Sequence, residues 1–371
     1  MRERTYLDHA ATAPMLPAAR DAMLEGVARW ANPSSLHAEG RAARAALEGA
    51  RERIKAALGW TGELIFTSGA SEAARLAFRR GRTEGAKPII SAVEHDAVLR
   101  QVSEDEQLNA PVASDGRVDL ATFGELLRRV AAGHGRAALV AVQHVNPETG
   151  VIQPIAEIAG AVAAAGGALF VDCAQSAGKL PLPSADLLAL SAHKLGGPPG
   201  IGALLVRDLG RLVPEGGQEQ GYRGGTENLP AALGFAAAVE ARALVGQEPE
   251  WSVRQRENRL LLEERIGAAG GAAVCANGVR SPFTATYHMP GMSAAAQLVR
   301  FDLLGFAVSA GSACSSGTTK QSHVLRALGL PADHAANCVR VSFGPDTRRE
   351  EVERFADAWT ALAGDARRRA A

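Results

Sequence analysis

The feature that most constrains the fold of this chain is a recurrence of short apolar runs, each followed by polar residues. They lie at Glu63–Thr67, Pro88–Ala92, Ala137–His144, Ala168–Asp172, Leu187–Ser191 and Gly202–Arg207. Such runs, apolar on both sides rather than alternating, suit strands buried on both faces of a sheet. Helical stretches separate several of them, notably Ile155–Ala165. Strands alternating with helices predict an α/β fold, a mainly parallel mixed sheet with helices on both faces. Ahead of them, Ala38–Gly59 reads as a helix, with Leu47, Ile54 and Leu58 on one face and Arg44, Arg51 and Glu52 elsewhere. Gly59 is its expected stop.

After about Leu244 the texture changes. Gln247–Glu250 is polar with a proline and reads as a boundary. Beyond it come a charged amphipathic helix at Trp251–Ile266, short strands at Phe283–His288, Ala307–Ser309 and Val339–Ser342, and a closing helix at Thr347–Ala363. These predict a smaller α+β domain. The expected division of the 371 residues is a large domain over 15–246 and a small one formed by 1–14 with 247–371.

Composition sets limits. Lys+Arg and Asp+Glu both number 40, so bulk charge offers no grip on nucleic acid or a membrane surface. The longest apolar stretch, Ile158–Val171, is mostly Ala and Gly and too short to span a bilayer. Met1–His9 is charged and has no apolar signal core. The cysteines Cys173, Cys275, Cys314 and Cys338 show no metal-ligand spacing and suit a reducing compartment. The expectations are a cytoplasmic protein, no metal site, and no nucleic-acid or membrane partner.

Chemistry gathers where the strands end: Ser68–Glu72, His144–Glu148, Asp172–Gln175 and Ser191–Lys194. Ligands of open α/β sheets bind beyond the carboxyl ends of the strands. Thr67–Glu72 passes from strand to helix start, which offers N–H groups to a phosphate, with Ser71 adding a hydroxyl; an N-cap before a surface helix fits equally. Lys194 precedes a Gly/Pro loop, where desolvation would free its amine for a Schiff base; a solvated loop lysine is the alternative. Asp172 could pair with a protonated ring nitrogen or cap the next segment. Gln175 could bond a ring oxygen or stand exposed. His95 could stack on a ring and shuttle protons, or cap a helix at the surface. Cys314 lies in Ser309–Gly317, a run of small residues, and reads as a reactive thiol or as an inert one in a loop. Cys173, Cys275 and Cys338 sit in or beside apolar runs and read as core.

Taken together, the segments resemble the cysteine desulfurases, a group of aminotransferase class V enzymes of the pyridoxal-phosphate (PLP) fold-type I. The likeness is carried by Tyr6–Thr12, Asn32–Ser35, Thr67–Glu72, Glu94-His95, Asp172–Gln175, Ser191–Lys194, Arg223–Asn228, Gly311–Ser316, Ser322–Leu330 and Val339–Gly344. It implies that Lys194 holds PLP as a Schiff base. Ala70, Ser71, Ser191 and His193 would take the phosphate, and Thr226 would reach the phosphate of the other subunit in a homodimer. Asp172 would meet the ring nitrogen, Gln175 the ring hydroxyl, and His95 the ring face. Arg340 and Asn32 would bind substrate, with Arg340 clamping the carboxylate, and Cys314 would accept sulfur. The segment after Cys314 matches the branch whose mobile loop hands sulfur to an acceptor for iron–sulfur assembly. Two departures stand out. Pro147 occupies the place of an asparagine that touches the cofactor, with Asn146 its possible substitute, and Ala74-Arg75 replaces the usual Asp-Asn. Selenocysteine lyase, an aminotransferase and a binding homologue without turnover are the alternatives the same fold allows.

Overall fold

The computed structural model describes residues 4–134, 137–242, 249–311 and 321–370. The expected boundary at Gln247–Glu250 lies partly outside the described residues, and Cys314 lies wholly outside them.

The apolar runs form a seven-stranded sheet. Its strands are β1 (Glu63–Thr67), β2 (Lys87–Ser91), β3 (Leu108–Ala110), β4 (Ala138–Gln143), β5 (Ala168–Asp172), β6 (Leu187–Ser191) and β7 (Gly202–Val206), in the order β1-β7-β6-β5-β4-β2-β3. β7 is antiparallel to both neighbours and every other pairing is parallel. All strands except β7 therefore share a direction, and their carboxyl ends lie along one edge. β4, β6 and β7 are buried throughout, as continuous apolar runs require when helices cover both faces. Two separate apolar clusters fill those faces. One holds Leu47, Ile54, Val140, Val171, Leu188 and Phe235; the other holds Ile65, Phe78, Phe170, Ala189 and Leu204.

Three helices precede or follow β1: α1 (Pro17–Ala28), α2 (Ala38–Leu58) and α3 (Ala70–Glu84). α2 ends at Gly59 in the left-handed region at φ 65°, where a residue without Cβ carries no penalty. Arg51 corrects the expected reading of α2. It is 3 % exposed, not on the outer face. Its position between Leu47 and Ile54 lies within their stripe, and its charge is matched by Glu219 at 2.8 and 3.1 Å. Glu219 also accepts the Phe66 N–H at 2.7 Å. This bidentate pair fastens α2 to β1 and makes the burial of an arginine tolerable.

A second core gathers around a three-stranded antiparallel sheet, with Thr284–His288 between Cys338–Ser342 and Ala272–Ala273. Helices Glu250–Ala268 and Arg349–Ala370 bring Leu262, Ile266, Phe355 and Trp359 onto it. The N-terminal segment joins the two sheets. Thr5–Tyr6 pairs with Phe306–Ala307. Ser342 N–H donates to Leu7 O at 2.8 Å, and Ala13 N–H donates to His193 O at 2.9 Å. No helix among the described residues is long and apolar enough to cross a membrane. Cys173 and Cys338 are buried as expected, whereas Cys275 is only part-buried and adopts φ 53°.

Candidate active site

The carboxyl edge of the large sheet faces the small sheet across a cavity of about 200 Å³. Its wall includes Ala10, His95, Pro147, Lys194, His323 and Arg340, together with the acids Glu94, Asp96 and Glu148. The backbone explains each placement. Lys194 closes a 3-10 turn, Ala192–Lys194, directly after β6. His95 caps the short helix Asp96–Leu99, accepting the Ala97 N–H on Nδ1 at 3.1 Å. That bond leaves Nε2 to carry the proton of the neutral ring. Burial first, then the Lys194 charge, lowers the His95 pKa, so the neutral form prevails at physiological pH.

Asp172 ends β5, and one of its oxygens accepts the Ala174 N–H at 2.8 Å. Gln175 is buried; its Nε2 donates to Ala10 O at 2.8 Å, while Oε1 has no partner among the described residues. Ala70 and Ser71 open α3, with Ser71 exposed. The Ser68 N–H donates to Glu72 at 2.6 Å. Ser191 is buried and its hydroxyl makes no capping bond. His193 Nδ1 lies 3.1 Å from Thr12 Oγ1.

Arg340 projects from the small sheet with its side chain 4 % exposed. It donates to Asp8 at 2.8 Å and to Pro147 O at 3.2 Å, and its Nε is buried without a partner among the described residues.

Of the expected residues that are described, only His95, Lys194 and Arg340 line this wall; Asp172, Gln175, Ala70, Ser71, Ser191 and His193 do not, nor do Asn146, Asn32 and Thr226. Asn146 Oδ1 accepts the Glu148 and Thr149 N–H groups, each at 2.9 Å, and Nδ2 donates to Val93 O at 3.2 Å. Its side chain is spent on holding its own turn, and Pro147 is the residue that reaches the cavity. Asn32 accepts the Ser34 N–H at 2.9 Å in the loop between α1 and α2. Thr226 is exposed in the loop before helix Leu229–Ala241.

Three groups on the wall were not singled out from the sequence. Glu94 is fully buried; burial, and next the Asp172 charge, push its carboxyl well above the usual range. Burial also raises the Glu148 pKa, and its Oε2 accepts the Ser322 hydroxyl at 2.6 Å. His323 Nε2 lies 2.7 Å from Glu94 O. The available signal was an acid immediately before His95 in an otherwise apolar strand exit, and the same polar strand-end cluster that contains Glu148.

A sheet of this topology with a lysine, a histidine and a buried arginine around its carboxyl edge defines a class, and comparison agrees. The aminotransferase class-V family model matches residues 5–355. The IscS-like cysteine desulfurase of Mycobacterium tuberculosis is 37 % identical, with 98 % of each chain covered. The structure of a NifS-like protein from Rickettsia africae superposes with a TM-score of 0.87 at 29 % identity, covering 97 % of this chain and 99 % of that one. SspA, solved in complex with cysteine, gives a TM-score of 0.76 at 31 % identity over 92 % of this chain and 99 % of its own. The chain is an enzyme of the aminotransferase class-V family and belongs to its cysteine desulfurases.

Proposed function

We propose that this enzyme binds PLP through Lys194 and moves the sulfur of L-cysteine onto Cys314, releasing L-alanine. The observation that carries the reading is the convergence of Lys194, His95 and Arg340 on one cavity. The residues present fit the coenzyme. The unpartnered Oε1 of Gln175 is an acceptor for its ring hydroxyl. Asp172 keeps one carboxylate oxygen for a protonated ring nitrogen. His95 offers a ring face, and Ala70, Ser71, Ser191 and His193 offer N–H and hydroxyl donors to the phosphate, with Thr226 serving the second subunit of a homodimer. When bound, PLP supplies an electron sink for the substrate's Cα.

Arg340 would hold the substrate carboxylate in a bidentate fork. The Lys194 amine would take the Cα proton and return it. The Cys314 thiolate would form a bond to the substrate sulfur as the Cβ–S bond breaks. The thiol proton of cysteine ends on Cβ, giving alanine and a Cys314 persulfide, so the step needs no outside oxidant. An iron–sulfur scaffold or a sulfur carrier would then take the sulfur.

The test is product analysis with L-cysteine and added PLP. Stoichiometric alanine and a persulfide mapped to Cys314 support the proposal. The Cys314→Ala variant should keep coenzyme absorbance and lose sulfide release with a reductant. A keto acid in place of alanine would identify an aminotransferase, and a chain that takes up no PLP would be a binding homologue.

A further inference from the structure

The cavity wall carries two imidazoles, His95 and His323, and their ring nitrogens are spent in opposite ways. His95 accepts the Ala97 N–H on Nδ1 at 3.1 Å. Its lone pair is thereby used, and the neutral ring has only the Nε2 proton left to offer. His323 stands the other way round. Its Nε2 lies 2.7 Å from the carbonyl oxygen of Glu94, the residue before His95. A carbonyl oxygen only accepts, so Nε2 carries the proton, and in the neutral ring the lone pair sits on Nδ1. That nitrogen has no hydrogen-bond partner among the described residues. The backbone around His323 is anchored as well. The Ser322 hydroxyl donates to Glu148 Oε2 at 2.6 Å and accepts the Leu325 N–H at 3.1 Å. His323 thus opens the short helix His323–Ala327, whose Val324 and Leu325 are buried.

The acids on the same wall are engaged elsewhere. Glu94 accepts the His95 N–H at 2.9 Å and is driven toward its protonated form. Glu148 takes the Ser322 hydroxyl, and Asp96 is paired with Arg100 at 2.9 Å. Sulfur transfer as proposed above needs a group that takes the thiol proton of L-cysteine and delivers it to Cβ. We propose that His323 Nδ1 is that group, a catalytic base and then acid, while His95 only donates, through Nε2. This rests on the proposed sulfur transfer. The step balances. The thiol proton passes to Nδ1 as the Cys314 sulfur bonds to the substrate sulfur. The electron pair of the broken Cβ–S bond stays on the carbon side, so Cβ is reduced and the Cys314 sulfur is oxidised to the disulfide level. The imidazolium then gives its proton to Cβ and returns to the neutral ring. Nε2 keeps its bond to Glu94 O throughout, so the ring need not move.

The test follows alanine formation from L-cysteine by the PLP-loaded enzyme with a reductant present. Glutamine can place its amide nitrogen where Nε2 stands, so His323→Gln keeps the bond to Glu94 O and loses the base. It should retain the coenzyme absorbance and the KM of the wild type, while kcat falls on the order of a hundredfold or more. His323→Ala should lose as much, and added imidazole should restore kcat in a saturable way. A His323→Gln enzyme with wild-type kcat would reduce the ring to a tie for Glu94 O and overturn the proposal. So would a loss in His323→Ala that imidazole leaves unchanged. Should one variant not fold, the other decides. A wild type that forms no alanine would overturn the sulfur-transfer reading itself; an active wild type beside an equally active His323→Gln overturns only the base.

Discussion

Arg340, which lines the cavity, donates a 2.8 Å charged hydrogen bond to Asp8, 332 positions away in the chain. The same guanidinium donates to Pro147 O. One side chain thus ties the N-terminal segment, the small sheet and the loop after β4 together. A substrate carboxylate would compete with Asp8 for a fork that is already aimed.

Kinetics of Arg340→Lys test that arrangement. Lysine keeps the charge but loses the planar pair of donors. KM for L-cysteine should rise on the order of tenfold or more, equivalent to about 1.4 kcal/mol, with a smaller change in kcat. An unchanged KM would place the carboxylate elsewhere.

Glu94 gives a second prediction. Its buried carboxyl is driven toward the protonated form, and its Oε2 accepts the His95 N–H at 2.9 Å. Glu94→Gln keeps a neutral, isosteric acceptor and should change unfolding free energy by less than about 1 kcal/mol. Glu94→Ala removes the acceptor and should cost about 1–3 kcal/mol. Denaturant titration of the two variants decides. Equal losses would mean that the native carboxyl is ionised.

The long strands of the large sheet and the helices Ala38–Leu58, Ile155–Ala164, Glu250–Ala268 and Arg349–Ala370 were legible because continuous apolar runs and an apolar stripe leave few other options. Pro17–Ala28, Leu120–His134, Leu229–Ala241 and Ala294–Leu303 were not read. Nor was Leu108–Ala110. It is three residues long at the sheet edge, and such a segment carries no periodic pattern. Arg51 was misplaced because its partner Glu219 is distant in sequence, and no local pattern reveals a long-range ion pair. At the site, the capping reading offered for two residues is the one the described contacts show. His95 and Asp172 do accept backbone N–H groups, and His95 also lines the cavity. What the sequence left hidden, Glu94, His323 and Lys179, depends on which loops meet across the two sheets.

Gly202 marks a close approach that supports the site. A Cβ there would stand 2.3 Å from Leu190 O and 2.7 Å from Gly69 Cα. Both contacts are backbone, and Gly69 directly precedes α3 at the proposed phosphate site. Gly202→Ala should destabilise the protein by about 1–3 kcal/mol and weaken PLP retention, read from unfolding and from coenzyme absorbance after gel filtration. A variant with wild-type stability would show that the strands part easily at this point.

His144 makes stability depend on pH. Burial alone lowers its pKa from 6.5 to about 4. The unfolded chain therefore gains a proton that the native state refuses, and the His144 contribution is present above pH 6.5 and lost as pH falls toward about 4. Glu94 and Glu148 act in the opposite sense, since their raised pKa values cost stability as pH rises above 4.5. Comparing His144→Asn with the wild type isolates the histidine. The variant's slope of unfolding free energy against pH should be shallower by up to about 1.4 kcal/mol per pH unit within that window. Parallel curves would mean that His144 titrates normally.

The proposed chemistry depends on which lysine holds the coenzyme. The chain's lysines are Lys55, Lys87, Lys179, Lys194 and Lys320, and burial and neighbouring cations make Lys179 a rival amine with a pKa of about 7. Borohydride reduction of the PLP-loaded enzyme, followed by peptide mass mapping, separates them. A pyridoxyl adduct confined to Lys194 is the predicted result; an adduct on Lys179, or none on Lys194, would contradict it.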